Sequence, residues 1–229
     1  TAALVRPPSQ QLFVGVHRLF ETTANLSDGV RSGAQGTRER ALRASGRLSG
    51  PSLAIGLSSP ILTGSGAYNR DTRPMLAERP RGGPMLDIGV GWYFDRSDTH
   101  LNVAWRRAAF PTAAFGIDQR NTRQSVALEA YRFLGDWHGF APFIGPAVSF
   151  EQLRVRETDG SAVLDDASRT LIAPGVTVGW DIRPTRSESW LLRTNLRLFP
   201  RLRVPLSNGT QALDQLELNF IQLVWYPRR

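Results

Sequence analysis

One stretch constrains the fold more than any other: residues 83 to 95, GPMLDIGVGWYFD. In an extended chain successive side chains point to opposite faces. Leu86, Ile88, Val90, Trp92 and Phe94 therefore share one face, and Asp87, Gly89, Gly91, Tyr93 and Asp95 share the other. A half-buried strand in a soluble protein turns its large apolar face to the core and its polar face to water. Here the second face carries glycines and a mid-strand carboxylate, which suits a cramped polar interior better than bulk water. Aliphatics against hydrocarbon and small or charged residues along a narrow lumen satisfy both faces at once.

The pattern recurs down the chain. Leu53, Ile55 and Leu57 oppose Ala54, Gly56 and Ser58; Leu101, Val103 and Trp105 oppose Asn102, Ala104 and Arg106. Val126 and Leu128 oppose Ala127, Glu129 and Tyr131; Ile144, Val148 and Phe150 oppose Gly145, Ala147, Ser149 and Glu151. Ile172, Val176, Val178 and Trp180 oppose Gly175, Thr177, Gly179 and Asp181; Leu192, Leu196 and Leu198 oppose Arg193, Asn195 and Arg197; Leu216, Leu218 and Phe220 oppose Glu217 and Asn219. Period-two alternation is the strand signature. Two further strands are read at about 11–22 and about 37–48, the latter with Arg43 and Arg47 inward. That makes about ten strands, with eight as the alternative if 37–48 is loop. The domain reading is an N-terminal extension over 1–10 and an antiparallel up-and-down transmembrane β-barrel over 11–229.

The connections alternate too. Gly50-Pro51, Arg96 to Asp98, Gly135 to His138 and Arg183 to Ser187 read as short turns. Segments of about 23–36, 63–83, 110–121, 156–167 and 200–212 read as long polar loops. Short turns on one rim and long loops on the other are the layout of an outer-membrane barrel, and the even count puts both termini on the short-turn rim.

Bulk composition is compatible with this. The 229 residues suffice for one large all-β domain, and the mean hydropathy of −0.25 reflects strands that average out as polar. No run approaches the roughly 18 apolar residues of a spanning helix. The absence of cysteine excludes disulfides and thiolate metal sites. The chain opens with Thr1, consistent with a leader already removed. The net charge of +8 comes with 28 basic residues, all arginine, a bias that speaks of base composition more than of a ligand. Nucleic-acid binding finds no helix-turn-helix, zinc-finger or RNA-recognition signature.

Inward charges are the sharper test. Asp87, Glu129, Glu151, Asp181 and Glu217 alternate by strand with Arg106, Arg193 and Arg197, so neighbouring strands of opposite sign would form a lumen ion-pair network. Trp92, Phe94, Trp137, Phe140, Trp180, Trp190, Trp225 and Tyr226 fall near short turns or the chain end and read as one aromatic girdle. Arg70, Arg73, Arg79 and Arg81 in loop 63–83 would face outward, where guanidinium suits outer-leaflet phosphates.

The segments PMLDIGVGWYF, FAPFIGPAVSF and the closing LELNFIQLVWYP resemble the small outer-membrane β-barrels of Gram-negative bacteria, broadly the OmpA and OmpW type. The closing strand looks like the terminal signal read by the barrel-assembly machinery: Leu216, Leu218, Phe220, Val224 and Tyr226 match its alternation and Gln222 departs from it. The resemblance implies an outer-membrane location and, as partners, the lipid bilayer, lipopolysaccharide or another envelope protein. No cofactor or metal is implied. The leading reading is a plugged or narrow charged barrel with a structural, accessory or docking role. A small-solute channel, a lipid-modifying enzyme and a soluble β-barrel binder are the alternatives. Barrel enzymes need a nucleophile with a base or an acid pair with histidine. His17 has no serine convincingly beside it, His100 and His138 sit at short turns, and Asp165-Asp166 reads as a solvated loop pair, so a non-enzyme is expected.

Overall fold

A computed structural model describes residues 34–137, 139–183 and 185–229. Among the described residues, ten strands and two helices follow in chain order: α1 (Ala34–Ala44), β1 (Gly50–Leu62), α2 (Ala67–Thr72), β2 (Met85–Phe94), β3 (Thr99–Ala114), β4 (Ile117–Phe133), β5 (Phe140–Asp159), β6 (Ala162–Ile182), β7 (Trp190–Phe199), β8 (Arg203–Leu206), β9 (Gly209–Ala212) and β10 (Gln215–Trp225). Eight strands close into an antiparallel barrel in the order β1-β10-β7-β6-β5-β4-β3-β2, and β8-β9 form a separate hairpin. The seam joins β1 to β10, from Leu53 opposite Trp225 to Leu62 opposite Gln215.

The strand count is thus eight, the alternative, and not ten. The strand read at 11–22 lies outside the described residues. The strand read at 37–48 is instead the helix α1 and the turn after it. AQGTRERALRA holds no β-branched residue but one threonine and no aromatic, while Ala, Arg, Glu and Leu are strong helix formers. Glu39 and Arg43 pair one turn apart at 3.5 Å, and Arg43 also reaches Asp95 at 3.2 Å. Arg43 and Arg47 are therefore exposed at the mouth, not inside the wall. Gly50-Pro51 is the start of β1 and not a turn.

Three short turns, at 95–98, 134–139 and 183–189, share one rim, called inner here. On the outer rim, two segments read as loops are wall. β3 and β4 pair without interruption from Thr99↔Arg132 to Ala114↔Ile117, and β5 pairs β6 up to Asp159↔Ala162. Their turns are only Phe115-Gly116, both at positive φ, and Gly160-Ser161. Positive φ matches the twist of a tight hairpin. The outward row there is polar, with Arg120, Gln124, Arg154 and Arg156 exposed, because the strands have risen past hydrocarbon, while the inward row stays buried. Polarity there marks water outside the strand in place of hydrocarbon, not irregular backbone.

The faces sort by parity. Ile88 is 41% exposed and Asp87 is 0% exposed, and the same contrast holds for Val178 against Asp181. On β2 the outward apolar row spans Leu86 to Phe94, nine residues, against the roughly 9–11 a tilted spanning strand needs. Glycines of the inward face make room for larger neighbours: a Cβ on Gly91 would lie 2.7 Å from the His100 ring, and one on Gly175 2.6 Å from the Phe199 ring. The pairing of β10 shifts between Asn219 and Gln222, so Phe220 and Ile221 both face outward. The Thr194 hydroxyl donates to the Phe220 carbonyl at 2.8 Å across this bulge. Beyond it Gln222, Val224 and Tyr226 face inward. Tyr226 is thereby removed from the girdle: it is buried beside Tyr93 and His100, because Trp225 before it faces lipid and, past the bulge, successive residues again alternate between faces.

Candidate functional site

The lumen is filled in three storeys. At the inner end Ala54, Tyr93, Tyr131, Phe133, Phe143, Leu191, Val224 and Tyr226 form an apolar cluster, closed from below by Leu42 of α1 and Leu48. At the outer end Leu62, Met85, Phe110, Leu153, Val155, Phe199, Leu202, Val204 and Leu213 form a second one. Between them lies a ladder of charges. Asp87, Arg106, Glu129, Glu151, Asp181, Arg193, Arg197 and Glu217 are all fully buried.

Arg193 forks onto Asp181, its register partner on β6, at 2.6 and 3.0 Å. Arg106 bridges Glu129 at 3.0 Å and Glu217 at 2.6 Å. Arg197 reaches Asp87 at 2.5 Å and Glu129 at 2.7 Å. Asn102 and Asn219 donate to Glu129 and Asp87 at 2.9 and 3.0 Å. Tyr131 donates its hydroxyl to Glu129. Each carboxylate thus meets an arginine, and a buried ion survives only under that condition. Aromatic faces hold the guanidinium groups flat: Arg193 lies 5.0 Å from the Tyr131 ring centre, and Arg106 and Arg123 lie 5.5 and 5.2 Å from that of Phe199.

Arg123 is a ladder member that the alternating runs read from the sequence leave out. It pairs with Glu151 and Glu217. Its signal was available: Ala127, Glu129 and Tyr131 face inward, and the same parity carried down β4 reaches Ser125 and Arg123. His100 was likewise assigned to the inner rim. It is fully buried, shares a 2.7 Å hydrogen bond with Ser52 and stacks on Tyr131. A serine beside a histidine is a nucleophile–base arrangement, but His100 Nδ1 has no orienting partner among the described residues. Among the described residues no group of three His, Cys, Asp or Glu could hold a metal. His17 and His138 lie outside the described residues.

Over the outer end the 63–84 connection folds inward through α2. Glu157 is its anchor. It accepts from the Tyr68 hydroxyl at 3.2 Å and from Gln119 at 2.8 Å, and it pairs with Arg73 at 2.9 Å. Burial, with the Glu157 charge beside it, pushes the Tyr68 phenol above its ordinary range. Asn69 and Gln119 exchange amide hydrogen bonds at 3.1 and 2.8 Å. Arg73 is therefore turned inward and does not face a lipid phosphate, because a buried carboxylate claims it. Arg70 pairs with its neighbour Asp71 at 2.8 Å, while Arg79 and Arg81 are exposed. Asp165 pins the β8-β9 hairpin by accepting from the Ser207 amide and hydroxyl at 2.8 and 2.6 Å, and Asp166 pairs with Arg154 at 2.6 Å.

At the inner rim Trp92, Phe94, Trp137, Trp190 and Trp225 are exposed and Trp180 is partly so. Trp137 stacks with Phe140 at 6.4 Å, Phe140 lies 5.7 Å from Trp180, and Trp190 stands opposite Trp225.

No family model matches the sequence, and no curated protein matches it. Solved structures similar to it include the following. Neisserial surface protein A is 17% identical, with 78% of this chain and 98% of that chain covered and a TM-score of 0.55. Ail, the attachment invasion locus protein of Yersinia pestis, is 12% identical, with 77% and 97% covered and a TM-score of 0.47. The outer membrane protein OprG of Pseudomonas aeruginosa is 8% identical, with 77% and 96% covered and a TM-score of 0.43. The chain has the fold of the small outer-membrane β-barrels, and that fold together with its apolar perimeter places it in the outer membrane of a Gram-negative bacterium.

Proposed function

We propose that the protein is a sealed barrel, neither channel nor enzyme, that serves the outer membrane as a structural or accessory component and docks a partner on its tall outer wall. One observation carries this: a fully paired charge ladder closed at both ends by apolar clusters. Water and ions would have to break buried Arg–carboxylate pairs to pass, which costs about 3–5 kcal/mol for each partner removed. The Ser52–His100 pair sits inside this packing with no carboxylate to orient it, which supports a non-catalytic role.

The docking reading draws on the outer hairpins. Phe115 is 92% exposed at the β3-β4 tip, and Val163 and Leu164 are exposed on β6 just past the neighbouring turn. For lipid, the fit is at Arg79 and Arg81. They line a groove of about 400 Å³ with Ile61, whose side chain is exposed on the outward face of β1. A guanidinium next to a lipid-facing aliphatic suits a lipopolysaccharide phosphate. Planar-bilayer recording tests the central claim. The sealed barrel gives no current steps above the lipid baseline, and reproducible steps that respond to substitution of Arg106 or Glu217 overturn it in favour of a small-solute channel.

A further inference from the structure

Below the ladder, toward the inner rim, the pairing of charge breaks off. Arg183 lies just past the end of β6 and is 1% exposed. Its guanidinium carbon sits 5.1 Å from the Phe133 ring centre, and none of its three side-chain nitrogens meets an acceptor among the described residues. Arg229 stacks on Tyr226 at 3.8 Å and lies 4.8 Å from the Tyr93 ring centre. One of its nitrogens donates to the Leu48 carbonyl at 2.9 Å, and the other two have no acceptor among the described residues. The buried Tyr226 hydroxyl and His100 Nδ1 are likewise unpartnered there. The five ladder carboxylates are all engaged with Arg106, Arg123, Arg193 and Arg197.

Buried donors without acceptors are costly. Burial weakens the hold of Arg229 on its proton, and the neighbouring Arg183 charge adds to this. Arg229 also walls a cavity of about 460 Å³ between α1 and the mouth, whose other lining residues are Arg38, Ala41, Leu42, Ser45 and Arg47. Among the described residues, three arginines and no acidic side chain line it. Arg38 and Arg47 are exposed, so the cavity reaches water on their side.

We infer that the inner mouth is a binding site for a phosphate-type oxyanion, admitted past Arg38 and Arg47 and held by Arg229, with the buried charge of Arg183 behind it. A guanidinium fork presents parallel N–H groups at the spacing of two oxyanion oxygens. This site is independent of whether the ladder conducts.

Calorimetric titration of the full chain in zwitterionic micelles tests it, with inorganic phosphate in one arm and short-chain phosphatidylglycerol in the other. Saturable binding in the first arm identifies a free anion, and binding confined to the second identifies a lipid headgroup; either supports the site. Arg183→Gln and Arg229→Gln each weaken that binding at least about tenfold, while Arg96→Gln, on an exposed turn of the same rim, leaves it unchanged. Heat-modifiability on a gel verifies folding. Arg229 lies beyond the barrel wall, so its variant reports even where the Arg183 variant fails to assemble. No saturable binding of either ligand, or equal weakening by Arg96→Gln, overturns the proposal.

Discussion

A buried charge in this lumen is only as cheap as its partner. Asp181→Ala leaves Arg193 without its two-pronged acceptor in a site closed to water, so unfolding in urea from lipid vesicles shifts by about 3–5 kcal/mol. Arg154→Ala removes an ion pair of similar length from the exposed outer wall and leaves the same unfolding curve in place, since solvent screens that pair. Equal effects of the two substitutions would contradict the lumen's dryness. Parity alone put Asp181 and Arg193 on the inside, because each sits in a clean alternating run. It misplaced Tyr226 because the bulge at Phe220–Ile221 resets the count. Gln222, out of step with an unbroken alternation, was the visible trace of that reset.

At the scale of elements, the outer cap rests on Glu157 and the β8-β9 hairpin on Asp165. Glu157→Ala removes the acceptor shared by Tyr68, Gln119 and Arg73, and hydrogen exchange over 63–84 rises while the belt strands keep their protection. Hydrogen bonds from Ser207 hold the Asp165 carboxyl below its ordinary range. A depressed folded-state value stabilises the docked hairpin above the unfolded value and loses that effect as pH falls through the folded one. Exchange at 203–212 therefore stays slow at pH 5 and quickens on acidification below about pH 4. The eight wall strands were legible because hydrocarbon and lumen impose opposite demands on alternate residues. The upper halves of β3 to β6 were not, because water replaces hydrocarbon on their outer face while the inner face still holds polar residues such as Gln119, Asn121 and Glu157, and the contrast fades. The helix α1 was misread as a strand: Leu42, Ala44, Gly46 and Leu48 satisfy a two-residue period by coincidence, and helix propensity and packing decide the matter.

At the scale of the whole molecule, the perimeter is a solvent-matched surface. Leu128→Arg at the middle of the belt costs about 2–4 kcal/mol in vesicles, and the same change at Gln152, just above the belt, costs close to nothing. Several ladder bonds join strands that are not neighbours in the wall. Arg106 on β3 meets Glu217 on β10, Arg197 on β7 meets Asp87 on β2, and Arg123 on β4 meets Glu217 on the strand four places around the ring. These spokes exist only when the circle is complete. An open ribbon inserting into the bilayer keeps the neighbour-strand pairs Arg193–Asp181, Arg106–Glu129 and Arg123–Glu151 but lacks Arg106–Glu217, Arg197–Asp87 and Arg123–Glu217, and joining β1 to β10 makes those spokes in one stroke. Closure of the seam is therefore rewarded inside the lumen as well as along the β1–β10 backbone.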